Sequence, residues 1–167
     1  VGRLDSRFTG TDIDTAGENP EYDAADAAIS GAYIAAVNTY LFGTLGYKTQ
    51  LKYRPNFYEE VFASWDMKHK GPDGGYGPMS TANTALDLAS AMRQNPHLKV
   101  LSLNGYYDMA TPFFGTEYDL GHMRLDPERR KNLSFAYYES GHMVYVRPEA
   151  LARMRGDLIH FYDQVAK

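Results

Sequence analysis

The chain has no cysteine among its 167 residues, which excludes disulfide frameworks and thiolate metal sites and leaves redox compartment unreadable. It has no apolar run long enough to cross a bilayer, so no membrane span is expected. A formal net charge of -4 argues against nucleic acid, whose phosphates demand a concentrated basic patch. One further absence bears on chemistry. No serine, from Ser6 to Ser140, carries the flanking glycines of the Gly-x-Ser-x-Gly turn that strains a hydrolase nucleophile into reach. The chain begins Val1-Gly2-Arg3 with neither an initiator Met nor a signal-like segment, and reads as a processed or truncated piece.

What is present fits a folded domain. The hydrophobic fraction is 44% and the charged fraction 23%, both ordinary for globular chains. Tyrosine is abundant, with 14 residues against 8 Phe and 1 Trp. A phenol buries its ring and keeps a polar tip, which suits half-open clefts as well as core and rim packing.

Residues 1–25 are rich in Asp, Gly and Thr without apolar period, and read as irregular loop. A helix capped by Asp23 or Asp26 would follow, with Ile29, Tyr33, Ala36, Val37 and Tyr40 as its apolar stripe and Gly43 as its stop. Leu51–Arg54 suggests a strand, and Phe57–Trp65 either a helix or a strand. The aromatic group Phe57, Tyr58, Phe62 and Trp65 suits core packing or the wall of a substrate cleft. Gly71, Pro72, Gly74, Gly75, Gly77 and Pro78 break regular structure, and with no Lys-Ser/Thr ending they read as a flexible connection.

From Ser80 the pattern sharpens. Ser80 or Thr81 would cap a helix with Ala82, Ala85, Leu86, Ala89 and Met92 on one face, ended by Asn95-Pro96. Leu98–Leu103 predicts a buried strand, Thr111-Pro112 a helix start, Leu133–Tyr138 a second strand, and Pro148 the start of a last helix striped by Leu151, Met154, Leu158, Phe161, Tyr162 and Val165. Strands alternating with helices imply an α/β class with parallel pairing through right-handed crossovers. Two strands are few for such a sheet, so further strands are expected to dock on it, with self-association through an exposed sheet edge as another outcome. Residues 1–79 are accordingly expected to form a helical or irregular cap or insertion, and residues 80–167 the α/β core.

Each predicted strand delivers a titratable residue just past its end: Asp108 after the first, His142 after the second. Open α/β sheets work at these carboxyl ends. An imidazole that takes a proton and a carboxylate that fixes its tautomer are two members of a hydrolytic triad. In α/β-hydrolases the acid precedes the histidine and the serine precedes both. Gly121-His122-Met123 repeats the tripeptide Gly141-His142-Met143, but His122 follows a helical stretch and reads as structural or solvated. Asp108, His122, Asp126 and His142 could supply metal ligands, though none stand at tight ligand spacing. Arg124–Lys131 is a mixed-charge run, read as a solvated loop or an anion site.

Ser102-Leu-Asn-Gly-Tyr-Tyr-Asp-Met-Ala-Thr-Pro112 and Glu139-Ser-Gly-His-Met-Val-Tyr145 resemble the two C-terminal motifs of the serine carboxypeptidase family, whose members have the α/β-hydrolase fold. Gly2-Arg-Leu-Asp-Ser-Arg7 and Pro20-Glu-Tyr-Asp23 resemble the variable cap segment of bacterial members. The resemblance implies Asp108 as triad acid, His142 as general base and Met143 in the substrate pocket. It implies no cofactor, peptide or protein C-termini as substrate, an N-terminal half of the same protein carrying the serine, and export to the periplasm or the extracellular space. Tyr106, Ser140 and Tyr145 depart from the family pattern, which favours Asp, a small residue and Pro there. A non-catalytic α/β binding or scaffold domain is the alternative reading.

Overall fold

The computed structural model describes residues 1–12, 20–51, 54, 58–66, 68–72 and 83–165. Its elements are α1 (Ala24–Asn38), a π-helical turn (Thr39–Thr44), α2 (Tyr58–Ser64), α3 (Ala85–Gln94), β1 (Val100–Gly105), α4 (Phe113–Gly121), α5 (Pro127–Arg130), β2 (Leu133–Tyr138), a 3-10 turn (Val144–Val146) and α6 (Pro148–Val165). Helix and strand are mixed, and β1 pairs with β2 in parallel, from Val100 opposite Leu133 to Gly105 opposite Tyr138.

Because side chains alternate along a strand, this register puts Val100, Leu133 and Tyr137 on one face and Leu103, Ala136 and Tyr138 on the other. Each face has its own core. Val100 and Leu133 pack on Ala89 and Met92 of α3 and on Met123 and Leu125. Leu103 and Ala136 pack with buried Tyr138, Val144 and Ala150 and with Met154 of α6. Each face of the strand pair is thus only partly covered, with Ser134 and Phe135 of β2 left exposed on opposite sides. The Tyr138 hydroxyl, carried into that second core, donates to Asp157 of α6 at 2.8 Å, so its polar end is satisfied.

Several expectations shift. β1 begins two residues later than Leu98 and runs to Gly105, so Asp108 follows it after only a short turn. Arg124–Lys131 is not an open loop. Asp126 caps α5 by accepting from Glu128 and Arg129 amides, with Pro127 in the first turn. Arg129 Nε and Nη2 then donate to the Met92 and Arg93 carbonyls, two of the carbonyls the end of α3 leaves unpaired. Lys131 pairs with Glu128. The anion-site reading of this run is therefore corrected for these residues, whose charges are occupied within the chain.

α1 starts where Asp23 predicts, with its Oδ1 accepting from Ala25 and Asp26 amides at 2.9 Å. Its stripe is not buried as expected: Tyr33 and Tyr40 are exposed, and Ala25 is the one buried residue of the helix. Gly43 falls inside the π-helical turn instead of stopping the helix, and the chain leaves through Gly46 at φ 62°, where only glycine is unstrained. In α6, Met154 reaches the core while Leu151, Tyr162 and Val165 are exposed. The apolar periodicity marks faces that nothing among the described residues covers.

The Ser80 or Thr81 cap and Ala82 lie outside the described residues, as do Lys52, Tyr53, Phe57, the Tyr58 side chain and most of the 71–78 connection. α3 is described from Ala85, with Thr84 before it. Phe62 and Trp65 are exposed on and just beyond α2. His69 Nε2 meets Asp87 Oδ2 at 2.7 Å and ties its segment to α3. Among the described residues no helix is long and apolar enough to cross a membrane.

Candidate active site at the strand ends

The loops leaving β1 and β2 bring Asp108 and His142 together. His142 Nδ1 lies 2.8 Å from Asp108 Oδ2. An ionised carboxylate only accepts, so the proton sits on Nδ1 and leaves Nε2 with a free lone pair in the neutral ring. Asp108 is buried with its side chain 5% exposed, while that of His142 is 44% exposed. One partner is fixed inside the fold and the other is open to a reactant.

Asp108 is held from every side. Its Oδ1 accepts from the Ala110 and Thr111 amides at 2.8 and 2.9 Å. Its Oδ2 accepts from the Thr111 hydroxyl at 2.6 Å as well as from the imidazole. The Thr111 hydroxyl also stands 3.1 Å from His142 Nδ1, so it braces the acid and the ring at once. Thr111 was legible only as the start of a helix. An Asp followed three residues later by Thr, just past a strand, is the local pattern of an Asx turn and would have been its signal.

Burial pushes the Asp108 carboxyl up, but the hydrogen bonds from Thr111, His142 and Ala110 outweigh it and hold the group below the usual carboxylate range. Its charge is therefore secure at neutral pH. The imidazole above it meets an anion at neutral pH.

Chain crossing at the strand ends is close. A Cβ on Gly105 would run into the Ser140 and Gly141 carbonyls, and one on Gly141 into the Leu4 carbonyl and the Asp5 side chain. These two glycines let the β1 end, the His142 loop and the N-terminal residues stack in contact. Residues 2–8, expected as loop in a separate cap, lie against the site. Ser6 N–H donates to the Tyr107 carbonyl at 2.9 Å, Met109 N–H to the Arg3 carbonyl at 3.0 Å, and His142 N–H to the Leu4 carbonyl at 2.8 Å. These bonds run across the expected division between residues 1–79 and 80–167.

Met143, expected in a substrate pocket, is half-buried and turned to a narrow cleft with Leu4, Asp5, Phe8, Ala25, Ile29 and Val146. The space there is about 10 Å³, room for one water. His122 stands apart from the pair. It ends α4, its Nδ1 donates to the Tyr118 carbonyl at 2.6 Å, and its ring stacks on Tyr118. Asp126 is used as the cap of α5. Among the described residues no group of three or more His, Asp or Glu side chains is placed to hold a metal ion.

Beside the pair, Tyr137 stacks on Tyr106 and meets Phe113 edge-on, and its hydroxyl donates to Glu117. Burial first, then this carboxylate, pushes the Tyr137 phenol up to about 12, so it stays neutral over any ordinary range.

Three carboxylates around the site share one behaviour. Burial raises Asp5 and Asp23 too, yet Arg7 and the Gly141 amide bring Asp5 down, and the Asp26, Leu4, Arg3 and Ala25 amides bring Asp23 down. A depressed folded pKa adds stability above the unfolded value of about 3.9 and loses it as pH falls through the lower folded value. The urea midpoint should therefore hold between about pH 7 and pH 5 and fall steadily below about pH 4. A midpoint unchanged down to about pH 2.5 would remove these carboxylates from the stability of the site.

No family model, curated protein or solved structure matches the chain.

Proposed function

We propose that the chain is the acid–base part of a serine carboxypeptidase with the α/β-hydrolase fold. One observation carries the reading: a buried carboxylate and an exposed imidazole, 2.8 Å apart, at the carboxyl ends of two adjacent parallel strands. His142 acts as general base and then general acid, and Asp108 holds its tautomer and offsets the imidazolium charge. The nucleophilic serine belongs to a further segment of the same polypeptide, whose strands join this sheet. Two strands alone among the described residues support that need for a partner segment.

In the reaction the serine hydroxyl attacks the last peptide carbonyl of the substrate while His142 Nε2 takes its proton. The C–N bond breaks as His142 returns that proton to the leaving amino acid. Water then attacks the acyl-serine ester by the same proton route and releases the shortened peptide. Peptide or protein C-termini are the substrates, and export from the cytosol is part of the proposal.

A phosphonofluoridate label and a carboxypeptidase assay on the longer polypeptide test the reading. Labelling and release of C-terminal amino acids are expected, both lowered by at least about 10³-fold in a His142→Ala variant. The 167-residue chain alone should take no label. Failure of the longer polypeptide to label or cleave would leave an α/β binding domain.

A further inference from the structure

We infer that residues Gly2–Phe8 form a strap that sets the position of His142, with Asp5 as its positioning residue. The strap is looped on itself, with Gly2 N–H donating to the Phe8 carbonyl at 2.9 Å and Phe8 N–H to the Asp5 carbonyl at 3.1 Å. Both exits of the sheet are bonded to it. Ser6 and Arg3 pair with Tyr107 and Met109 on either side of Asp108, and Leu4 pairs with His142. Leu4 uses both of its backbone groups this way: its carbonyl accepts from His142, and its amide donates to Asp23 Oδ2 at 3.1 Å. Asp23 is the N-cap of α1, so the histidine's backbone is referred through one residue to a helix end.

Asp5 is the pin. It is 7% exposed, and its two oxygens take a bidentate pair from Arg7, Nε to Oδ1 at 2.9 Å and Nη2 to Oδ2 at 2.6 Å. Forked pairing of this kind fixes orientation as well as charge. The Asp5 side chain also packs directly against Gly141, one residue before His142, where a Cβ would meet Asp5 Cβ and Cγ. Arg7 continues the clamp: its Nη1 donates to the Glu139 carbonyl at 2.7 Å and its guanidinium lies 4.6 Å from the centre of the Tyr107 ring. Glu139 and Tyr107 are the residues on which β2 and β1 give way to the two site loops. One ion pair therefore grips both loops, and the Asp108–His142 distance depends on it.

An Asp–Arg pair with its acid buried and its guanidinium exposed could equally be general scaffolding, so the test must read the imidazole itself. In the full chain, hydrogen exchange at the His142 amide and ¹⁵N spectra of its ring, taken at about pH 8 where a free imidazole is neutral, report position and tautomer directly. In Asp5→Ala the His142 amide should exchange at least about tenfold faster, and the share of ring carrying the proton on Nδ1 should fall, while β1–β2 ladder amides change less than about twofold. Asp5→Asn keeps one oxygen for Arg7 but loses the forked pair and its charge, so its ring signal should fall between those of the parent and Asp5→Ala. Arg7→Met, which leaves Asp5 in place, should shift the ring in the same direction and serves where Asp5→Ala does not fold. Unchanged ring signals in the folded variants would overturn the inference. So would ladder amides that accelerate by the same factor as His142, since that is loss of general stability.

The inference rests on His142 being the working residue of the proposed site, but its test needs neither serine nor substrate. A longer polypeptide that does not label, with ring signals that follow Asp5, would retire the peptidase and keep the strap. Labelling with an insensitive ring would do the reverse.

Discussion

Replacing Asp108 by Asn in the longer polypeptide should lower kcat for C-terminal cleavage by about 10³–10⁴-fold, with little loss of folding. The size follows from how the carboxylate is used. Oδ1 is committed to the Ala110 and Thr111 amides, which an amide oxygen can still serve. The Asn amino group must then occupy the Oδ2 position, facing His142 Nδ1 and the Thr111 hydroxyl. An NH₂ donates where the carboxylate accepted, so the ring is pushed to carry its proton on Nε2. A base protonated on the atom that faces the reactant cannot take the serine's proton, and an imidazolium there would lack its counter-charge. The Thr111 hydroxyl can rotate to accept from the new amide, which is why the turn should survive. Steady-state kinetics on a peptide substrate give the rate, and the urea midpoint checks the fold. Turnover within about tenfold of the parent would sink the assignment of Asp108 as triad acid.

The second large effect concerns stability. Gly105→Ala should cost about 2–3 kcal/mol, at the upper end for an added methyl in a packed interior. Gly105 ends β1 opposite Tyr138, and the new carbon would meet the Ser140 and Gly141 carbonyl oxygens. Those oxygens are backbone and cannot rotate away as a side chain would. The Ser140 carbonyl is also occupied, accepting from Tyr107 N–H at 3.1 Å. Relief has to come from moving the whole His142 loop away from β1, which lengthens the contact between His142 and Asp108. A fall in urea midpoint with unchanged m-value, together with a shifted His142 ring signal, is the expected result. A loss under about 0.5 kcal/mol would mean that the loop yields freely and that the glycine is not what lets the strands' ends close.

Local patterns carried much of this site. β2 coincides with the apolar run Leu133–Tyr138, and β1 overlaps Leu98–Leu103 closely enough to deliver Asp108 at its exit. A short apolar stretch ended by glycine and a polar residue is a property of neighbouring residues, so composition and period expose it. Alternation with helices then implies parallel pairing, and parallel pairing puts both exits at one end. The meeting of Asp108 and His142 follows from that topology.

The bracing around them could not be read the same way. Arg7 bonds Glu139 from 132 positions away, and Leu4 reaches His142 across nearly the whole chain. Nothing near Asp5 in the sequence signals those partners, and a loop-like composition is what a strap without secondary structure has. Burial of the helices was equally undecided. The period of α1 and of α6 states which side is apolar, but burial depends on what lies against that side, and Tyr33, Tyr40 and Tyr162 are exposed here. Sequence alone determined the strands, their order and the two residues at their ends, because those depend on short-range pattern. Tertiary structure decided the Thr111 brace, the strap pinned by Asp5 and the inward turn of Met143, because each is a contact between segments whose spacing along the chain carries no trace of it.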